Sequence, residues 1–204
     1  MKAIVVRQPW ATLIALGIKT IETRPAPPNG PMRPDGVRGL PGLAVERGER
    51  IAILAGAAIE RGFFPIANVH HLGGPVTSRE WRFPNGHHLP AIDGVTFPLG
   101  AVVCTVTVDD ALPIVAETGS HADELYLTID GRNLARQQVT GDGSRPEHVR
   151  TTWLDDQLPF GDFTPGRWGW MLTDPQPCDP IPCKGKQGVF RLPDDVAERV
   201  RGEG

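Results

Sequence analysis

Glycine (24 residues) and proline (21 residues) together fill 45 of the 204 positions, close to twice their usual share of about 12%. Proline removes a backbone donor and breaks helix interiors, and glycine weakens helices through its conformational freedom. A chain punctuated this often has no room for long uninterrupted helices, which excludes coiled coils and helical bundles. Short strands and short helices joined by irregular connections are what remain. With 40% hydrophobic and 22% charged residues, the chain still carries enough apolar material for a sizeable core without covalent staples. No apolar run approaches the ~20 residues of a membrane-spanning helix. The opening Met1-Lys2-Ala3-Ile4-Val5-Val6-Arg7 is too short and too soon charged to be read as a signal peptide. Three cysteines make no disulfide framework and fit a reducing cytoplasm, the location expected here.

The net charge of −3 does not by itself point to nucleic acid. Its distribution says more: residues 1–50 hold eight Lys/Arg against four Asp/Glu, and residues 109–156 hold four against ten. A basic segment beside an acidic one can form a polar cleft with distinct walls, or simply a solvated surface.

Hydrophobic patterning predicts six short strands. Lys2 to Arg7 is the first, followed by a helix opened by Pro9, with Trp10, Leu13, Ile14 and Leu16 as its apolar face, and stopped by Gly17. Thr20 to Arg24 is the second strand, and alternation puts Thr20, Glu22 and Arg24 on one face with Ile21 and Thr23 on the other. Arg50 to Ala55, Leu99 to Val108, Arg167 to Thr173 and Gly185 to Leu192 complete the set. A short helix after residue 56, a helix around Asp123 to Gln138 and a terminal helix over Asp194 to Arg201 are further expectations. The reading is one α+β domain over residues 1–204: a small β-barrel of about six strands with flanking short helices and long loop insertions near 25–48, 56–98 and 110–160.

The most distinctive stretch is Gln8-Pro9-Trp10-Ala11 followed by Gly17-Ile18-Lys19-Thr20-Ile21-Glu22-Thr23-Arg24. A helix ends on Gly17 and hands the chain to a strand, with Lys19 at the turn. There a flexible ammonium could swing over a neighbouring cleft, and Glu22 and Arg24 could pair or share a ligand. One acid and two bases at such a corner suit a phosphate or the polar edge of a base. They equally suit a structural ion pair at a barrel end.

This pattern, Gln-Pro-Trp-Ala and then Gly-x-Lys-x-x-Glu-x-Arg, resembles the ASCH domain family of the PUA-like superfamily. Arg47-Gly48-Glu49-Arg50-Ile51-Ala52-Ile53, Leu99 to Val106, Pro165-Gly166-Arg167-Trp168-Gly169-Trp170 and Pro182 to Phe190 resemble further strands of that family, in the same order. The resemblance implies a PUA-like barrel with a cleft beside the N-terminal helix, and partners that are RNA, single-stranded DNA or a nucleoside. The nucleic-acid-binding residues it suggests are Lys19, Arg24, Trp10, Gln8, Arg7 and Arg50. One subgroup hydrolyses an acylated cytidine with a Lys, a Thr three residues later and a distant Glu. Here Glu22 stands at that Thr position, so an enzyme of this kind would use Lys19 and Glu22, with Thr20 or Thr23 as a substitute hydroxyl at a different register. Nucleic-acid binding is the leading expectation, and a hydrolase acting on a modified nucleoside or on RNA is the alternative. Burial of Lys19 and Glu22 in a closed pocket would favour nucleoside chemistry, whereas a basic groove joining Arg7, Arg24 and Arg50 would favour a polymer.

Other chemistry has little support. Adjacent histidines at 70–71 and 87–88 point apart on a strand and lack neighbouring ligands, and Cys178 and Cys183 have no Cys-x-x-Cys spacing, so no metal is expected. Cys104 lies on an apolar strand, where burial suppresses the thiolate. No glycine-rich phosphate loop is present, and no cofactor is expected. Of the five tryptophans, Trp10 has the best position to stack on a base, while Trp168 and Trp170 read first as core.

Overall fold

The computed structural model describes residues 1–28, 44–61, 64–65, 80–82, 88–90, 94–118, 124–129, 132–138 and 157–202. In chain order the elements are β1 (Lys2–Gln8), α1 (Trp10–Ala15), β2 (Ile21–Arg24), β3 (Glu49–Ile59), β4 (Phe64–Pro65), β5 (Glu80–Arg82) and β6 (His88–Pro90). There follow β7 (Ala101–Thr118), β8 (Glu124–Ile129), β9 (Arg132–Gln138), a single 3-10 turn at Leu158–Phe160, β10 (Trp168–Pro182), β11 (Val189–Arg191) and α2 (Asp194–Arg201).

Six strands pair in the order β11-β1-β3-β7-β10-β2, with β8 and β9 added as a hairpin on β7 and β4 to β6 in a separate small sheet. The fold is α+β, as expected. Among the described residues no ladder joins β2 to β11, so the sheet is left open along those two edges. The β1–β3 pair is parallel and the other ladders are antiparallel. This arrangement explains why Ile51 to Ala55 is apolar at every position. Ile51, Ile53 and Ala55 pack with Ile4, Val6 and Ile14 on the side covered by α1. Ala52 and Leu54 pack with Phe190, Val196 and Ala197 on the side covered by α2. A strand buried on both faces reads as a continuous hydrophobic run.

Several elements differ from the sequence expectation, each for a physical reason. The third strand runs to Ile59, so the short helix expected after residue 56 is strand instead. The strand expected over Leu99 to Val108 continues through two aspartates to Thr118. Asp109 is absorbed as the extra residue of a bulge opposite Met171 and Leu172. β10 likewise continues past Thr173 through four prolines to Pro182. Its neighbour β2 covers only Trp168 to Met171, so among the described residues those prolines fall where one edge of β10 is unpaired and a missing donor costs nothing. The helix expected around Asp123 to Gln138 is the β8–β9 hairpin. The dipeptide Asp130-Gly131, a hairpin signal, outweighs the weak helical periodicity. The last strand is confined to Val189–Arg191, and residues 183–188 form a strap before it. The terminal helix stands as expected. Most of the three expected insertions, including His70, His71, His87 and Trp153, lies outside the described residues. None of the helices described is long and apolar enough to cross a membrane.

Candidate ligand cleft at the edge of the sheet

The helix α1 turns its Ala11, Leu13 and Ile14 inward, whereas Leu16, expected on that face, is 39% exposed. The helix stops where Gly17 takes φ +71°, a conformation glycine adopts without a Cβ penalty. The amides of Ile18 and Lys19 then close on Leu13 O. At the other end Gln8, fully buried, accepts from Thr12 N at 3.1 Å and donates to Pro98 O at 2.8 Å. It supplies the cap that Pro9 cannot, and both halves of its amide are used there. Gln8 therefore serves the helix and does not reach the cleft.

Beyond Gly17 the chain is clamped by Gln157, which accepts from Thr20 N at 2.7 Å and donates to Ile18 O at 2.9 Å. This clamp delivers Lys19 inward rather than outward. Its side chain is 1% exposed, and Nζ donates to Phe160 O at 2.7 Å and to Ile21 O. It lies 3.3 Å from Glu22 Oε2. Burial holds the Lys19 ammonium below the usual lysine range, against the opposing pull of Glu22. The expectation of a mobile ammonium over the cleft is thus corrected. Three oxygens fix Lys19 behind Glu22, and it is not part of the cleft wall.

β2 ends the sheet, and cations occupy carbonyls that a further strand would have taken. Lys19 donates to Ile21 O, and Arg167 Nη2 donates to Thr23 O at 3.2 Å. Glu22 Oε1 lies 3.0 Å from Arg24 Nε, and Arg24 Nη2 donates to Val5 O at 2.6 Å. Arg167 Nη1 lies 3.3 Å from Asp162 Oδ2. The Nε atoms of Arg24 and Arg167 are both buried and make no aligned hydrogen bond among the described residues. Asp162 is held below the ordinary aspartate range, first by the Thr164 hydroxyl that donates to it and with a smaller contribution from Arg167.

Over these groups opens a cleft of about 770 Å³. Glu22, Arg24, Arg167 and Asp162 line its polar side. Half-buried Trp10 contributes aromatic surface, backed by Phe160, a core side chain whose ring centroid lies 6.2 Å from that of Trp10. Arg7, 3.3 Å from Glu60, stands at the rim with Glu60, and Lys186 to Gly188 form another part of the wall. Gly161 allows the close approach of the facing segment: a Cβ there would stand 3.0 Å from Thr23 Cγ2 and 2.9 Å from Phe163 Cε2.

Of the residues singled out from sequence, the cleft gathers Glu22, Arg24, Trp10 and Arg7, and holds Lys19 in support. Thr20 is exposed, spends its amide on Gln157 and does not line the cleft, so it offers no nucleophile there. Arg50 is engaged elsewhere, with Asp174 and with Thr105 Oγ1 at 2.9 Å. Among the described residues no basic groove joins it to Arg24. Trp170 is core, 3% exposed, with its Nε1 donating to Ala26 O at 3.0 Å, and Trp168 packs against the same core. Sequence reasoning misses Arg167, Asp162, Phe160 and Gln157 as site residues. Arg167 stands inside the Pro165 to Trp170 motif, which is legible as a strand but gives no sign of where its charge points. Among the described residues no group of His, Cys, Asp and Glu could hold a metal.

No protein-family model matches the chain, and no curated protein matches it. Among solved structures it is similar to the crystal structure of a serine-to-alanine mutant of the ZmASCH protein from Zymomonas mobilis. The identity is 15%, over 98% of this chain and 94% of that one, with a TM-score of 0.38. No residue correspondence follows at that level, and the reading of the cleft rests on the contacts above.

Proposed function

We propose that this chain is a nucleic-acid-binding protein that receives one unpaired base of RNA, or of single-stranded DNA, in the cleft. The observation that carries this reading is Glu22, 11% exposed at the cleft wall and flanked by Lys19 and Arg24. A carboxylate fixed by two cations offers its remaining lone pairs to donors. Exocyclic amino groups of bases are such donors, and a carboxylate accepting from cytosine N4 is an established pairing. Trp10, half-buried at the wall, supplies a face for stacking, worth about 1–3 kcal/mol per base, and the arginines supply contacts for phosphate. The cleft is sized for one nucleotide unit rather than for a duplex. The test is a binding screen with short RNA, short DNA and free nucleosides, with Glu22→Ala and Arg24→Ala as controls. Binding of cytosine- or adenine-containing single strands that both substitutions weaken is the expected result. Equal binding by wild type and both variants overturns the reading.

A second reading is favoured by Arg50, which is engaged with Asp174 and Thr105 and, among the described residues, joins no basic groove with Arg24, and by the burial of Lys19 against Glu22. Such a pair can serve hydrolysis of a modified nucleoside, with Glu22 moving protons and Lys19 setting its charge. Glu22→Gln would then abolish turnover while leaving affinity within a few-fold. If no turnover is found with acylated nucleosides or RNA, the binding reading stands alone.

A further inference from the structure

Beside the cleft lies a second depression of about 420 Å³, and the two share Val5, Lys186 and Gln187. Its character is different. The floor is made of small residues, Gly56, Ala57 and Gly100, and one wall is the strap carrying Lys184, Gly185 and Lys186. Among the described residues no carboxylate and no aromatic ring lines it. Lys184 and Lys186 are exposed, and among the described residues neither ammonium has an ion-pair or hydrogen-bond partner. The strap is held in place by its backbone and by close packing. Cys183 N donates to Gly100 O at 2.9 Å, and a Cβ on Gly185 would stand 2.6 Å from Val5 Cγ2. The lysines therefore project from an anchored segment over a floor low enough for another backbone to lie on.

We infer that this depression holds the phosphodiester backbone next to the base seated in the cleft, so that the ligand is a single strand of at least two nucleotides. The inference rests on the cleft reading above and specifies it. Base recognition needs an aromatic face and a directional acceptor, and Trp10 and Glu22 offer them in the cleft. A phosphodiester backbone is held better where cations meet no competing carboxylate, as in the adjoining depression, than on arginines that share their wall with Glu22 and Asp162. Lys186 lines both, at the point where a strand leaving the cleft would cross.

The experiment compares cytidine, which carries no phosphate, with oligocytidylates of two and five nucleotides, on wild type and on Lys184→Ala, across a salt series. Lys184 lines only the depression and is exposed, so its truncation leaves the fold and the cytidine affinity intact. Wild type should bind the dinucleotide at least about ten-fold tighter than cytidine. Lys184→Ala should lose most of that gain and reduce the salt slope by about 0.7 per phosphate contact removed. If cytidine binds in a Glu22-dependent manner but added length or Lys184→Ala changes nothing, the depression is not a backbone site while the cleft reading stands. If neither cytidine nor oligonucleotide binds, both readings fall together.

Discussion

Lys19 Nζ stands 3.3 Å from Glu22 Oε2, and of the two only Glu22 faces the cleft. The ammonium also donates to the carbonyls of Ile21 and Phe160, so it ties the edge strand, the 3-10 turn and the carboxylate into one unit. Lys19 is a positioning residue: it fixes where Glu22 stands and has no route of its own to a ligand in this arrangement.

Removing it should therefore destabilise the fold as well as the site. Lys19→Ala leaves two buried carbonyls without their donor and takes away one of the two cations beside Glu22. Breaking a buried pair from one side costs about 3–5 kcal/mol. Urea unfolding should show a correspondingly lower midpoint, and a Lys19→Ala protein as stable as wild type would overturn the positioning role.

The same burial fixes the sign of a pH effect. The folded Lys19 titrates below its unfolded value of 10.5 because burial disfavours the ammonium. Between those two values the unfolded chain binds more protons, so stability rises with pH. The contribution is fully present above 10.5 and is lost as pH falls through the lowered folded value. Measured as the difference between wild type and Lys19→Met, unfolding free energy should climb on approach to that pH. A flat or falling difference would contradict the burial assigned here.

Cys104 should act in the opposite direction. Burial, reinforced by Cys178, pushes its thiol up from 9.0 to about 12. A raised folded value contributes stability that is fully present below 9.0 and is lost as pH rises through about 12. The difference between wild type and Cys104→Ala should thus shrink over that interval. Alkylation at neutral pH followed by peptide mapping should find Cys104 unmodified in the folded protein, and rapid labelling there would refute its burial.

The legible part of this site is the local part. A helix stopped by Gly17 and a strand begun a few residues later put Glu22 and Arg24 at one corner, and short-range patterning suffices for that. The supporting half comes from residues that meet the segment from Ile18 to Arg24 only in the folded chain: Gln157, Phe160, Asp162 and Arg167, all far from it in sequence. Nothing in their own neighbourhood marks them. Gln8 and Arg50 illustrate the converse, since each lies in a conspicuous motif yet is consumed by the helix cap or by Asp174. The extents of β7 and β10 are legible only up to the first aspartate or proline, because a bulge at Asp109 and an unpaired edge along β10 are properties of the sheet rather than of the segment.

Gly185 offers a test of the strap that leaves every charge in place. A methyl at this position would come within 2.6 Å of Val5 Cγ2 and 3.3 Å of Leu54 Cδ2. Overpacking of this kind costs about 1–3 kcal/mol. Gly185→Ala should lower stability by that order and lift Lys184 and Lys186 away from the sheet. Oligonucleotide affinity should then fall more than cytidine affinity. A variant with wild-type thermal stability would mean that the strap does not lie where its contacts place it.

An inorganic anion should settle against the arginines of the cleft wall. From sequence, either Lys19 or Arg24 could receive it, but Lys19 has three oxygens around it and no face on the cleft. Arg24 spends Nη2 on Val5 O and lies against Glu22 through Nε, and Arg167 is engaged through Nη1 and Nη2. A guanidinium carries five donors, so among the described residues these contacts leave N–H groups over on Nη1 of Arg24 and on the outer nitrogens of Arg167. Opposing them, Glu22 and Asp162 repel an anion from the same wall, which confines it to the arginine side. Sulfate soaked into crystals should therefore be found against Arg24 or Arg167 within the cleft, and never against Lys19. Arg24→Lys should weaken the site although the charge is retained, because a point charge cannot reproduce the planar fork. Sulfate seen only on distant surface cations, or an unchanged site in Arg24→Lys, would remove the anion-binding role of this wall.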